Sequence, residues 1–130
     1  MSEKKKILII DDDKFLVHMY AIKFEAGGFA VNSSLSGFDA IEKIKNGLVP
    51  DIILLDLIMP GMDGFSFLET IRKDNLCKDS IIVMLTNQGL ASDISKAEEY
   101  GINGYIVKAT TIPSEVVEEI NKIYQKVKGS

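Results

Sequence analysis

The chain has 130 residues, a net charge of −4 at pH 7, 46% hydrophobic and 26% charged residues, which fits one globular domain and excludes a disordered chain. With no basic excess, direct nucleic-acid binding is not expected, and the run Lys4-Lys5-Lys6 reads as a solvated flank of the first strand. A single Cys77 and a single, distant His18 exclude a disulfide framework and a zinc cluster, and no apolar run suits a membrane span or a signal peptide, so a reducing, cytoplasmic setting is expected.

The chain opens with the stretch "ILIIDDD", residues 7–13. Four apolar residues read as a strand buried on both faces, and three adjacent carboxylates follow it. The segment 14–28, "KFLVHMYAIKFEAGG", places Leu16, Tyr20 and Phe24 at helical spacing, and Gly27-Gly28 stops the helix. His18 falls off that stripe and is expected to be exposed, without a role. "FAVNSS" is a short second strand. "SGFDAIEKIKNG" is a second helix with Ala40, Ile41 and Ile44 inward and Gly47 closing it.

"PDIILLDLIMP" is a third strand, apolar on both faces from Ile52 to Leu55 and ending at Asp56, as suits the centre of a parallel sheet. The loop "MPGMDG" leads to a helix, "FSFLETIRK", with Phe67, Leu68 and Ile71 inward. "SIIVMLTNQG" is a fourth strand, "ASDISKAEEYG" a fourth helix, "INGYIVKA" a fifth strand, and "PSEVVEEINKIYQKVK" a last helix with Pro113 in its first turn. Strands and helices alternating through short connections predict an α/β domain with a parallel sheet and right-handed crossovers. No second domain is expected in residues 1–130.

Ligands of such sheets bind at the carboxyl ends of the strands. Asp11 and Asp12 end strand one, Asp56 strand three, Thr86 strand four and Lys108 strand five. Carboxylates gathered there repel one another unless a hard divalent cation with a preference for oxygen joins them. Asp11 and Asp12 are therefore candidate Mg²⁺ ligands, while Asp13 suits an N-terminal cap. Asp56 is a candidate carboxylate nucleophile toward phosphorus. The metal, the Lys108 ammonium and the Thr86 hydroxyl can then offset charge on the phosphoryl oxygens.

These residues resemble the receiver domain of two-component response regulators over essentially the whole chain. The family's acidic pair matches Asp11 and Asp12, its phosphorylated aspartate Asp56 in "DIILLDLIMPGMDG", its switch hydroxyl Thr86, its lysine Lys108 in "GYIVK", and its switch aromatic Tyr105. The resemblance implies a doubly wound, flavodoxin-like fold with strand order 2-1-3-4-5, which is also the order of a chemotaxis receiver of this family. It further implies Mg²⁺ bound in part by the main-chain carbonyl of Ile58, and a phosphohistidine donor on a sensor histidine kinase or a histidine phosphotransfer domain. The expected function is a stand-alone, phosphorylation-dependent switch. It would be no enzyme beyond its own phosphorylation and slow self-dephosphorylation.

Two other readings compete. A haloacid-dehalogenase-type phosphohydrolase would use the Asp-x-Asp of "IIDDDKF", but Phe15 stands where Thr or Val is usual and "GYIVKATT" lacks the later acidic pair. A phosphorylation-independent pseudo-receiver should lack part of the site, and no part is missing. The chain departs from the family at Ala109, where proline after a cis peptide is common. A non-proline cis bond costs about 2.5–4 kcal/mol, so this peptide is either trans or strained.

In the expected switch, Thr86 moves toward the phosphoryl group and Tyr105 turns inward. Helix four, strand five and helix five then read the change to a protein target, through candidates Leu90, Ala91, Lys96 and Tyr105. Ile58 and Gln88, two residues past Asp56 and Thr86, are the side chains best placed to tune hydrolysis. Ile58 cannot orient water, which predicts slow decay.

Overall fold

The computed structural model describes residues 4–87 and 89–129. Within them, β1 (Lys6–Ile10), β2 (Ala30–Ser34), β3 (Ile52–Asp56), β4 (Ile81–Thr86) and β5 (Gly104–Val107) alternate with α1 (Lys14–Ala26), α2 (Gly37–Lys45), α3 (Gly64–Lys73), α4 (Ala91–Glu98) and α5 (Pro113–Lys128). Every strand pairing is parallel, and the order across the sheet is β2-β1-β3-β4-β5. This is the doubly wound, flavodoxin-like arrangement expected.

The uninterrupted apolar runs explain why helices cover both faces. Successive strand residues point to opposite sides. Leu8, Ile10, Ile53, Leu55, Ile82 and Met84 pack with the buried residues of α2 and α3, while Ile7, Ile9, Ile52, Leu54, Val83 and Leu85 pack with those of α1 and α5. Ala40, Ile41 and Ile44 of α2 and Phe67, Leu68 and Ile71 of α3 are buried as expected. In α1 the inward stripe is Val17, Tyr20 and Phe24, and Leu16 packs only at its border. Phe15, Leu16 and Val17 are all apolar, so the sequence left the phase of this turn open; the cap at Asp13 sets it.

Three helices begin with side-chain caps just beyond strand ends. Asp13 accepts from the Leu16 amide at 3.0 Å, Ser36 from Asp39 at 3.1 Å and Asp63 from Ser66 at 2.8 Å. These caps turn the positive ends of α1, α2 and α3 toward the carboxyl edge of the sheet. Strands β3 and β4 are shorter than the segments read as strands from the sequence, ending at Asp56 and Thr86, and two further boundaries bear on the site. Helix α4 ends at Glu98, and β5 ends at Val107, so Lys108 opens a 3₁₀ turn, Lys108–Thr110.

Candidate functional site

Strands β1 and β3 are neighbours with Ile10 opposite Leu55, so Asp11 and Asp56, one step further along each strand, emerge side by side. One carboxylate oxygen from each of Asp11, Asp12 and Asp56 lies within 4.8 Å of the other two. Asp11 and Asp56 are buried and Asp12 is exposed, so the cluster opens to solvent on one side. Lys108 reaches over from the end of β5. Its Nζ lies 2.8 Å from Asp11 Oδ2 and donates a hydrogen bond to Asp56 Oδ1 at 3.2 Å. Asp11 Oδ1 accepts from the Asp13 amide at 2.9 Å, whereas Asp11 Oδ2 has only the ion pair, out of hydrogen-bond alignment.

Electrostatics at this point are unbalanced. Burial, and then the charge of Asp11, push the Asp56 carboxyl up to about 6 against the pull of Lys108. Burial works against the charge of Lys108, yet its contacts with Asp11 and Asp56 outweigh that and raise its pKa, so the side chain stays an ammonium at neutral pH. Three carboxylates face one ammonium. The excess negative charge, the all-oxygen donor set and the unaligned, buried Asp11 Oδ2 suit a hard dication.

Thr86 ends β4, is buried, and accepts through Oγ1 from the Gly89 amide at 2.8 Å. Gly89 has φ 63°, and a Cβ there would lie 2.9 Å from Val107 Cγ2, so both conformation and space call for glycine. Leu57, Ile58, Thr86, Asn87, Gly89, Leu90 and Asp93 line a cavity of about 190 Å³ between the β3–α3 and β4–α4 loops. Ile58 and Tyr105 are exposed, at 66% and 47%. Gln88 lies outside the described residues. Leu90, Ala91 and Lys96 are exposed as well, with Lys96 Nζ 4.4 Å from the centroid of the Phe65 ring. His18 is exposed on α1, apart from the cluster. The Lys108–Ala109 peptide is trans, as is every peptide among the described residues.

Two neighbours of the site were not singled out from the sequence. Gly64 opens α3, donates to the Leu57 carbonyl at 2.7 Å, and would place a Cβ 2.9 Å from the Asp56 carbonyl oxygen. The Asp-Gly step at the helix start was its only signal. Tyr20, read as core alone, is a buried phenol pushed up to about 12 by burial, against the pull of the Lys108 charge and with smaller upward contributions from Asp11, Asp56 and Asp13.

The family model described as the response regulator receiver domain matches residues 7–121. The DNA-binding dual master transcriptional regulator RpaA of Synechocystis sp. is 31% identical over 118 residues, 91% of this chain and 47% of that protein. Response regulator protein VraR of Staphylococcus saprophyticus is 35% identical over 122 residues, 92% of this chain and 56% of that protein. The chain thus spans about half the length of the curated relatives it matches. Among solved structures, chemotaxis protein CheY4 of Vibrio cholerae superposes with a TM-score of 0.85 at 25% identity, covering 93% of this chain and 99% of that one. A Francisella response regulator receiver domain gives 0.82 at 26% identity, covering 95% and 99%. The phosphohydrolase reading draws no support from these matches, and the chain belongs to the response regulator receiver domain family of two-component signalling.

Proposed function

We propose that the protein is a phosphorylation-dependent switch in which Asp56 accepts a phosphoryl group from a phosphohistidine of a sensor histidine kinase or a histidine phosphotransfer domain. The observation that carries this reading is a buried carboxylate at a strand end with an ammonium 3.2 Å away and two further carboxylates within 4.8 Å. With a pKa of about 6, Asp56 is mostly ionised at neutral pH and offers an oxygen lone pair to phosphorus. The phosphorus–nitrogen bond of the donor breaks, and the imidazole keeps the bonding pair and takes up a proton. Lys108 offsets charge on the transferring group, and the Thr86 hydroxyl donates to one of its oxygens. Asp11, Asp12, Asp56 and the Ile58 carbonyl would hold Mg²⁺, whose charge offsets that of the phosphoryl oxygens.

The resulting switch draws Thr86 toward the phosphoryl group and turns Tyr105 inward, altering the α4–β5–α5 face that a protein target reads. Direct nucleic-acid contact is not part of this reading, which the net charge of −4 supports. Residues 1–130 act as one receiver unit of the cytoplasm, and output resides outside them. The test incubates the protein with histidine-phosphorylated kinase and phosphotransfer domains of its host, with and without Mg²⁺. Movement of label to this chain, dependent on Mg²⁺ and lost in Asp56→Asn, is expected. No transfer from any donor would count against the reading.

A further inference from the structure

Two glycines on the carboxyl side of the sheet are each covered by a large side chain from the other's segment. Gly37 opens α2 and is buried; a Cβ there would stand 2.7 Å from Met62 Sδ and 3.0 Å from Met62 Cγ. Gly61 lies in the loop between β3 and α3, where a Cβ would stand 3.1 Å from Phe38 Cε2. Phe38 directly follows Gly37, and Met62 directly follows Gly61. The two segments therefore interlock as Gly-Phe against Gly-Met, each large side chain seated on the other's glycine.

The loop so held is the one that leaves Asp56, and it is fixed at its two ends. The Leu57 amide donates to the Leu85 carbonyl at 3.1 Å and the Gly64 amide to the Leu57 carbonyl at 2.7 Å, Met59 is buried, and Asp63 caps α3. Between these anchors Pro60, Gly61 and Met62 form a turn closed on itself by the bond from the Met62 amide to the Pro60 carbonyl at 3.0 Å. That turn meets α2 through side chains, Met62 packing against the core between α2 and α3 and Phe38 lying over Gly61. Phe38 is 60% exposed. A ring so exposed adds little to the core, and its close approach is to the loop glycine.

We infer that Phe38, together with Gly37 and Met62, is a positioning residue for the metal site: by clasping the loop tip to the start of α2 it fixes the backbone beyond Ile58, whose carbonyl is a proposed Mg²⁺ ligand. The inference rests on that reading of the site. A carbonyl ligand is not steered by its own side chain, and its place is set by how the chain is anchored on either side, here by Leu57 and Met59 and then by the clasped turn. Mg²⁺ demands near-ideal octahedral geometry at about 2.0–2.1 Å, so slack in the loop weakens binding just as loss of an outer partner of a ligand does.

The experiment measures three quantities in the wild type, Phe38→Ala, Phe38→Leu and Gly37→Ala: the Mg²⁺ dissociation constant by calorimetric titration, and, without the ion, the melting temperature and the NMR order parameters of the Gly61 and Met62 amides. Phe38→Ala should lower the order parameters and weaken Mg²⁺ binding by about tenfold. Phe38→Leu, which puts an apolar side chain back over Gly61, should recover most of both. Gly37→Ala favours the helix backbone while driving Met62 from its seat, so it should weaken Mg²⁺ binding without lowering the melting temperature, a combination that a merely structural role would not give. Unchanged Mg²⁺ affinity in Phe38→Ala would overturn the inference, as would losses of affinity that follow the melting temperature from variant to variant. A wild type that binds no Mg²⁺, or binds it equally after Asp12→Ala, would contradict the metal-site reading and the inference with it, whereas binding lost in Asp12→Ala and kept in Phe38→Ala contradicts the inference alone.

Discussion

At Asp56, burial and the neighbouring Asp11 charge oppose ionisation more strongly than Lys108 favours it, which makes the side chain a cost to the metal-free fold at neutral pH. Its pKa is raised from 3.8 to about 6. Its stabilising contribution is therefore fully present below about pH 4 and is lost as pH rises through about 6. Asp56→Asn abolishes this dependence. In the absence of Mg²⁺ the variant should match the wild type near pH 4 and exceed it above pH 6, by up to about 2–3 kcal/mol at 1.36 kcal/mol per pKa unit. Urea denaturation across that range measures the difference, and a variant less stable than wild type at pH 8 would show that the Lys108 pair dominates. Beside it, Ile58 is exposed and has no polar atom to hold water against the acyl phosphate. Ile58→Asn should shorten the lifetime of phospho-Asp56 by on the order of tenfold to a hundredfold. Loss of radiolabel over time gives the lifetime, and equal decay in both proteins would clear Ile58 of any part in it.

Of the five α-helices, α4 buries the fewest residues. It buries only Ala97, starts without a side-chain cap, and is tied to the site through the Gly89 amide that Thr86 Oγ1 accepts. A hydroxyl donates and accepts at once, so Thr86 can donate to a phosphoryl oxygen while still holding Gly89, and its displacement is passed to the start of α4. Thr86→Val keeps the side chain's shape and removes both bonds. The variant should accept phosphate, lose about 1 kcal/mol of stability, and show no change in α4 amide exchange on phosphorylation. Retention of the wild-type exchange response would exclude the hydroxyl as the link.

This same region marks the limit of what the sequence discloses. The strands and the acid pair are legible because apolar runs and strand-end carboxylates are local patterns. The reach of Lys108 across two strands to Asp11 is not local, and neither is the approach of Gly64 to the Asp56 carbonyl. Each depends on which elements become neighbours, and single-chain spacing cannot encode that without the fold. The register of α1 illustrates the opposite failure: local signals existed but were degenerate, with three consecutive apolar residues competing for one inward position.

Across the molecule, the same helix direction that places caps at the carboxyl edge gathers basic residues in the last turns, Lys23, Lys43, Lys45, Arg72, Lys73, Lys126 and Lys128. Each complements the negative end of its helix. The opposite end holds Asp11, Asp12 and Asp56, whose repulsion is relieved by a cation that binds only the folded state. Millimolar-range Mg²⁺, at roughly ten times its dissociation constant, should raise the melting temperature by about 5 °C. Asp12→Ala should lose most of that rise; calorimetry with and without the ion compares them, and an equal rise in both proteins would remove Asp12 from the metal site. Central to the switch is that Asp56 itself carries the phosphoryl group. The most direct measurement is peptide-level mass spectrometry after reaction with a small acyl phosphate and Mg²⁺. One added phosphoryl group is expected on the peptide containing Asp56 in the wild type and none in Asp56→Asn. Equal labelling of the Asn variant, or label on another residue of the wild type, would contradict that role.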